Sequence, residues 1–124
     1  MRVFLLDDHE IVRRGLTDLL SSAPDLTVVG TASDGHEAQE DVRTAQPDVV
    51  VMDVRMPGLD GVEATRRIKG VSPSSQVIVL TSFADNDKVF PAIKAGAISY
   101  LLKDVQPEEL ARAIRAAQRN EAVL

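Results

Sequence analysis

The chain has 124 residues, a net charge of −5, no cysteine, and only 3% of its residues are aromatic. That length fits one domain; the negative charge argues against nucleic-acid binding by this piece alone; and the lack of thiols excludes a disulfide scaffold, a thiolate zinc site and cysteine catalysis, and agrees with a reducing cytosol. The first apolar run stops at Asp7-Asp8, too short for a signal peptide, and no stretch approaches the roughly 18 apolar residues of a membrane span, so no membrane partner and a cytoplasmic location are expected. With 44% hydrophobic residues and few aromatics, the core must come from Val, Leu, Ile and Ala. That composition suits helices packed closely on a sheet.

Short apolar runs alternate with helical stretches. Residues 3–6, 26–29, 49–52, 77–80 and 98–102 are rich in β-branched residues and mostly do not alternate with polar ones, as in strands buried on both faces. Residues 9–22 form the first predicted helix, with Val12, Leu16, Leu19 and Leu20 on one face. Residues 35–45 follow a Ser33-Asp34 cap signal and show a weak apolar face of Ala38, Val42 and Ala45. Asp60 caps a helix over 61–69, with Val62, Thr65 and Ile68 inward. A helix over 87–95 stops at Gly96. The last, 107–119, opens with Pro at its first position and acids in its first turn, with Leu110, Ile114 and Ala117 inward. Five βα units imply an α/β fold, a parallel sheet with helices on both faces. Residues 1–118 are expected to form the domain, and 119–124 to begin a linker.

Ligands in such sheets bind beyond the carboxyl ends of the strands. There the strands present Asp7-Asp8, Asp53, Thr81-Ser82 and Lys103. Three neighbouring carboxylates repel one another unless a hard divalent cation such as Mg²⁺, or Mn²⁺, neutralises them. A carboxylate nucleophile can form an aspartyl-phosphate, and Mg²⁺, Lys103 and Thr81 would stabilise the incoming phosphoryl oxygens. Each residue alone is ordinary: strand-end acids are commonly solvated caps, Asp53 before Met56-Pro57-Gly58 fits turn chemistry, and a lone Thr or Lys is usually structural. Their convergence from four strands favours phosphoryl acceptance. An FMN-binding domain is disfavoured because Asp7-Asp8 would repel the phosphate. An aspartate-nucleophile phosphatase is disfavoured because Arg55 stands where a second acid is needed. His9 and His36 read as solvated capping positions.

Five motifs carry a resemblance over essentially the whole chain: Leu5-Leu6-Asp7-Asp8-His9, Asp48-Val49-Val50-Val51-Met52-Asp53, Met56-Pro57-Gly58-Leu59-Asp60-Gly61, Leu80-Thr81-Ser82 and Tyr100-Leu101-Leu102-Lys103-Asp104. The chain resembles the receiver domain of two-component response regulators. Arg13-Arg14-Gly15 and Pro107-Glu108-Glu109-Leu110 make it similar to the NarL/FixJ (LuxR-type) subfamily. The resemblance implies a flavodoxin-like doubly wound (βα)5 fold with strand order 2-1-3-4-5, and Asp53 as acceptor of a phosphoryl group from a sensor histidine kinase. Asp8, Asp53 and the Arg55 backbone carbonyl would bind Mg²⁺ directly, and Asp7 through water. Lys103 would pair with the phosphoryl group, and Thr81 and Tyr100 would form the switch. The protein would phosphorylate its own aspartate rather than act as an enzyme on another substrate. It would govern a C-terminal helix-turn-helix domain that contacts DNA; a stand-alone receiver acting through protein contacts is the alternative. Subfamily members often dimerise on activation, and Arg13, Thr17, Asp18, Arg112, Ala113 and Ala116 form a candidate dimer face.

Three further expectations concern departures and neighbours of these motifs. Asp104 follows Lys103 where many receivers have a cis proline, which leaves the isomer of the Lys103–Asp104 bond open. Arg55 and Phe83, two residues past Asp53 and Thr81, would border the path of the hydrolytic water and slow dephosphorylation. Pro91 would sit four positions into a helix capped by Asp87, so the helix is expected to start nearer Pro91, with 85–90 as a loop and Ile93 and Phe90 packing it down.

Overall fold

The computed structural model describes residues 1–55, 59–82 and 87–121. Its elements run β1 (Arg2–Leu6), α1 (Glu10–Ser21), β2 (Thr27–Ala32), α2 (Gly35–Ala45), β3 (Val49–Asp53), α3 (Gly61–Val71), β4 (Gln76–Thr81), α4 (Val89–Ala95), β5 (Ser99–Leu102) and α5 (Pro107–Gln118). The strands pair in parallel in the order 2-1-3-4-5. This is the expected flavodoxin-like (βα)5 fold. Among the described residues no helix is long and apolar enough to cross a membrane.

The unbroken apolar runs have the expected cause. β3 lies between β1 and β4, and all of its residues are buried. Alternate side chains serve two cores. Phe4, Leu6, Val50, Met52, Val77 and Val79 meet Ala38 and Val42 of α2, Ala64 and Ile68 of α3, and Ala92 of α4. Val3, Leu5, Val49, Val51, Ile78 and Leu80 meet Leu20 of α1 and Leu110, Ile114 and Ala117 of α5. Each fully buried Leu or Ile contributes about 1.5–3 kcal/mol relative to exposure.

Helix ends follow local chemistry. The Asp34 carboxylate accepts the Glu37 N–H at 2.8 Å and the Asp60 carboxylate accepts the Glu63 N–H at 2.9 Å, both as N-caps. Gly96 ends α4 with φ +124°, a conformation open to glycine. Gly61 is required for a different reason: a Cβ there would lie 2.6 Å from both Cα and O of Val54. That contact presses the start of α3 against the backbone that follows Asp53.

Several expectations are corrected. On α1 only Leu20 is buried; Leu19 and Val12 are 44% and 41% exposed, and Ile11 is 85% exposed. Ala113 and Ala116, expected on an open dimer face, are buried at 1% and 3% exposure because the inward stripe of α5 is broad enough to include them. α4 begins at Val89 after a single 3₁₀ turn at 87–88, with Lys88 as N-cap. Pro91 therefore occupies the third helical position, where an N–H has no intrahelical partner to lose. Phe90 does not hold the helix down: it is 69% exposed, with the Lys94 ammonium 5.5 Å from its ring centroid. After α5 the Asn120 N–H donates to the Ala117 carbonyl and its side chain accepts from Gln76 at 2.8 Å. The Lys103–Asp104 bond is trans. Met56-Pro57-Gly58, Phe83, residues 85–86 and 122–124 lie outside the described residues.

Candidate functional site

The strand order reverses its direction of growth at β1, whose neighbours are β2 and β3, and such a switch point opens a crevice at the carboxyl edge. Strand register sets what lines it. Leu6 pairs with Met52, so Asp7 and Asp53 lie in one row; Asp53 pairs with Leu80, and Thr81 with Leu102, so Thr81 follows one step further out and Lys103 two.

Asp53 is fully buried. Its Oδ1 accepts the Arg55 N–H at 3.0 Å, and its Oδ2 lies 2.7 Å from Lys103 Nζ. That ion pair apart, Oδ2 is enclosed and takes no hydrogen bond from the described residues. Burial pushes the Asp53 carboxyl above the usual carboxylate range, although the Lys103 ammonium and the Arg55 N–H pull it down; the Asp7 charge adds to the rise. Lys103 emerges from its strand end into partial solvent, with its side chain 37% exposed.

Asp7 is buried. Its Oδ1 accepts the His9 N–H at 2.8 Å, and its backbone carbonyl accepts the Arg13 guanidinium at 2.5 Å, so α1 is tied to the corner that carries the acids. Asp8 is more open, its side chain 30% exposed. His9 Nδ1 lies 3.2 Å from Asp7 Oδ1 and 3.0 Å from Asp8 Oδ1. Asp7, Asp8, His9 and Asp53 each offer one donor atom, and all these atoms lie within 4.8 Å of one another. Three carboxylates with one enclosed oxygen short of hydrogen bonds fit a hard divalent cation such as Mg²⁺. Asp8, Asp53 and Asp7 would supply the oxygen donors.

Thr81 is fully buried, and its hydroxyl donates to the Ser82 carbonyl at 3.2 Å. Tyr100 is half-buried against the core beneath α4. A cavity of about 200 Å³ lined by Thr81, Ser82, Leu102, Lys103 and Asp104 adjoins them.

The expected site residues Asp7, Asp8, Asp53 and Lys103 thus converge. Arg13, Thr17 and Asp18 line a groove that reaches Thr31 of β2, whereas Arg112 lines another between α1 and α5. His9 and Arg13 make contacts at the site that differ from the capping and dimer-face roles expected of them. His9 caps α1 by backbone position but makes no side-chain cap, and Arg13 reaches the Asp7 carbonyl. Adjacency of His9 to two acids was a visible signal; the turn of its ring was not.

The response regulator receiver domain family matches residues 3–115 of the chain. The chain is similar to the transcriptional regulatory protein LiaR of Bacillus subtilis, 51% identical over 124 residues, which are 100% of this chain and 59% of that protein. It is also similar to the DNA-binding transcriptional activator DevR/DosR of Mycobacterium tuberculosis, 44% identical over all of this chain and 57% of that one. It therefore spans somewhat over half the length of these relatives. Among solved structures, the signal receiver domain of the putative response regulator NarL from Mycobacterium tuberculosis superposes with a TM-score of 0.90 at 32% identity, covering 97% of each chain. On the match over residues 3–115 and the shared fold, the chain belongs to the response regulator receiver domain family and is a receiver domain of a two-component response regulator.

Proposed function

We propose that Asp53 is the phosphoacceptor of this receiver, loaded by a sensor histidine kinase with Mg²⁺ or Mn²⁺ held by Asp8, Asp53 and the Arg55 carbonyl, and by Asp7 through water. The observation that carries this is the state of Asp53: buried, one oxygen pinned by the Arg55 N–H, the other turned to Lys103 and the acidic cluster. The bound cation supplies charge neutralisation and orients phosphoryl oxygens. An Asp53 oxygen forms the new O–P bond as the donor's P–N bond breaks, and that electron pair returns to the donor imidazole. Asp53 reacts ionised, so no proton need leave it. Lys103 then trades its pairing with Asp53 for pairing with the transferred group. Thr81 leaves the Ser82 carbonyl and donates to a phosphoryl oxygen, and Tyr100 moves inward behind it. Those two residues are the bistable element, biased by the new charge.

LiaR and DevR/DosR are by name transcriptional regulators. We extend that role to this chain: residues 1–118 as the phosphoacceptor domain, 119–124 leading toward a helix-turn-helix output domain that contacts DNA, and a cytoplasmic location. Pairing of two copies on phosphorylation would use the exposed residues of α1 and Arg112, without Ala113 and Ala116. Beryllium fluoride with Mg²⁺ tests the acceptor assignment. One fluoride complex per chain in ¹⁹F spectra, lost in Asp53→Asn, supports it; a stoichiometric complex that persists in Asp53→Asn overturns it.

A further inference from the structure

We propose that His9 is a nitrogen donor to the cation pocket and sets its metal preference toward Ni²⁺, Co²⁺ and Zn²⁺ over Mg²⁺. The inference rests on the metal-dependent reading of Asp53 and adds a residue to it. His9 stands at the N-cap of α1, yet its side chain makes no cap hydrogen bond. The ring turns to the acids instead, with Nδ1 3.2 Å from Asp7 Oδ1 and 3.0 Å from Asp8 Oδ1. Donors at right angles on an ion with bonds of about 2.1 Å stand about 3 Å apart, so the 3.0 Å between Nδ1 and Asp8 Oδ1 matches the edge of a coordination octahedron, while the contact with Asp7 Oδ1 is a hydrogen bond that orients the ring. Nδ1 also belongs to the four-residue group whose donor atoms lie within 4.8 Å of one another, and the Asp53 carboxylate in that group is fully buried with Lys103 as its one side-chain partner among the described residues. The side chain of His9 is 64% exposed, so its ring can adjust to an ion without repacking.

The chemistry follows from donor type. Three carboxylates alone suit hard ions and leave Mg²⁺ its waters. An imidazole nitrogen adds little for Mg²⁺ and much for the later first-row ions, whose affinity for nitrogen rises from Mn²⁺ to Ni²⁺. The chain has two histidines and no cysteine, which leaves His36 as the rival imidazole and no thiolate.

The test is a competition titration of Ni²⁺ and Mg²⁺ against a chromophoric chelator. It uses the 124-residue chain and its His9→Gln and His36→Gln variants, with ¹H spectra of the Co²⁺ forms. Gln keeps a hydrogen-bonding side chain at an exposed position. The expected result is a loss of Ni²⁺ affinity of about tenfold or more in His9→Gln, a change in Mg²⁺ affinity within about twofold, and loss of the hyperfine-shifted ring protons of His9. The His36→Gln protein should match the parent. Unchanged Ni²⁺ affinity, equal losses of Ni²⁺ and Mg²⁺, or shifted ring signals that vanish only in His36→Gln would each overturn the inference. Asp8→Ala separates the two readings: it should weaken both ions whatever His9 does, and if it weakens neither, the metal site itself is misplaced.

Discussion

Replacing Asp53 with Asn should stabilise the metal-free protein. The buried Asp53 carboxylate shares its crevice with Asp7 and Asp8, with donor atoms no more than 4.8 Å apart. At that separation two unit charges repel by about 3.5 kcal/mol at an effective dielectric near 20. Lys103, 2.7 Å from Oδ2, offsets much of this, but its side chain is 37% exposed and solvent screens it. The remaining penalty is about 1–2 kcal/mol, or about 4–8 °C in Tm for a domain of this size. The pH dependence has a definite sign. Asp53 has a raised pKa in the folded state, so the folded protein holds that proton more tightly than the unfolded chain does. Wild-type stability therefore falls as pH rises from near the ordinary carboxyl value of 3.8 through the raised folded value, and the penalty is complete above it. The advantage of Asp53→Asn should be full at pH 7 and vanish below the carboxylate range. Mg²⁺ at about 100 times its Kd would return about 2.7 kcal/mol to the wild type and less to the variant. Thermal melts in EDTA and in Mg²⁺, across pH 3–8, measure all of this. A metal-free Asp53→Asn protein that melts below the wild type at pH 7 would refute the reasoning.

Gly61→Ala should lower Tm by about 8–12 °C, a cost of about 2–3 kcal/mol, because the added carbon meets the Val54 backbone; a melt within 2 °C or so of wild type would show that α3 can shift. Asp25 pairs with Arg115 through two hydrogen bonds of 2.7 and 2.9 Å, and the Arg115 side chain holds the Asp25 carboxyl below its ordinary value of 3.8. The pair's stabilisation is present above that value and lost as pH falls through the depressed folded one; in Arg115→Ala the Asp25 carboxyl should titrate higher by NMR. Phe90→Ser should change stability by no more than about 0.5 kcal/mol in a urea melt, since the ring is exposed.

The strands were legible because burial on both faces writes an unbroken β-branched run, and β3 reads Val-Val-Val-Met before its terminal Asp. Asp34 and Asp60 were legible as caps because capping is local chemistry. What the sequence hid depends on neighbours. An apolar stripe on α1 shows which side faces inward, not how far α5 and β2 cover it, so Val12 and Leu19 remain partly exposed. Ala113 and Ala116 look fit for a close contact between copies, yet their contact is with the domain's own interior. Pro91 turned on a single residue of cap register, Lys88 rather than Asp87. The acids of the site could be placed from strand ends alone, because register carries Asp7 and Asp53 into one row. The orientation of the His9 ring is a rotamer choice, and no motif encodes it.

The central claim, that Asp53 accepts the phosphoryl group, is tested most directly by intact mass after incubation with acetyl phosphate and Mg²⁺. The wild type should gain one phosphoryl unit, about 80 Da, and lose it when EDTA stops the reaction and hydroxylamine, which cleaves acyl phosphates, is then added. Asp53→Asn should gain nothing. An undiminished gain of about 80 Da in Asp53→Asn would contradict the account.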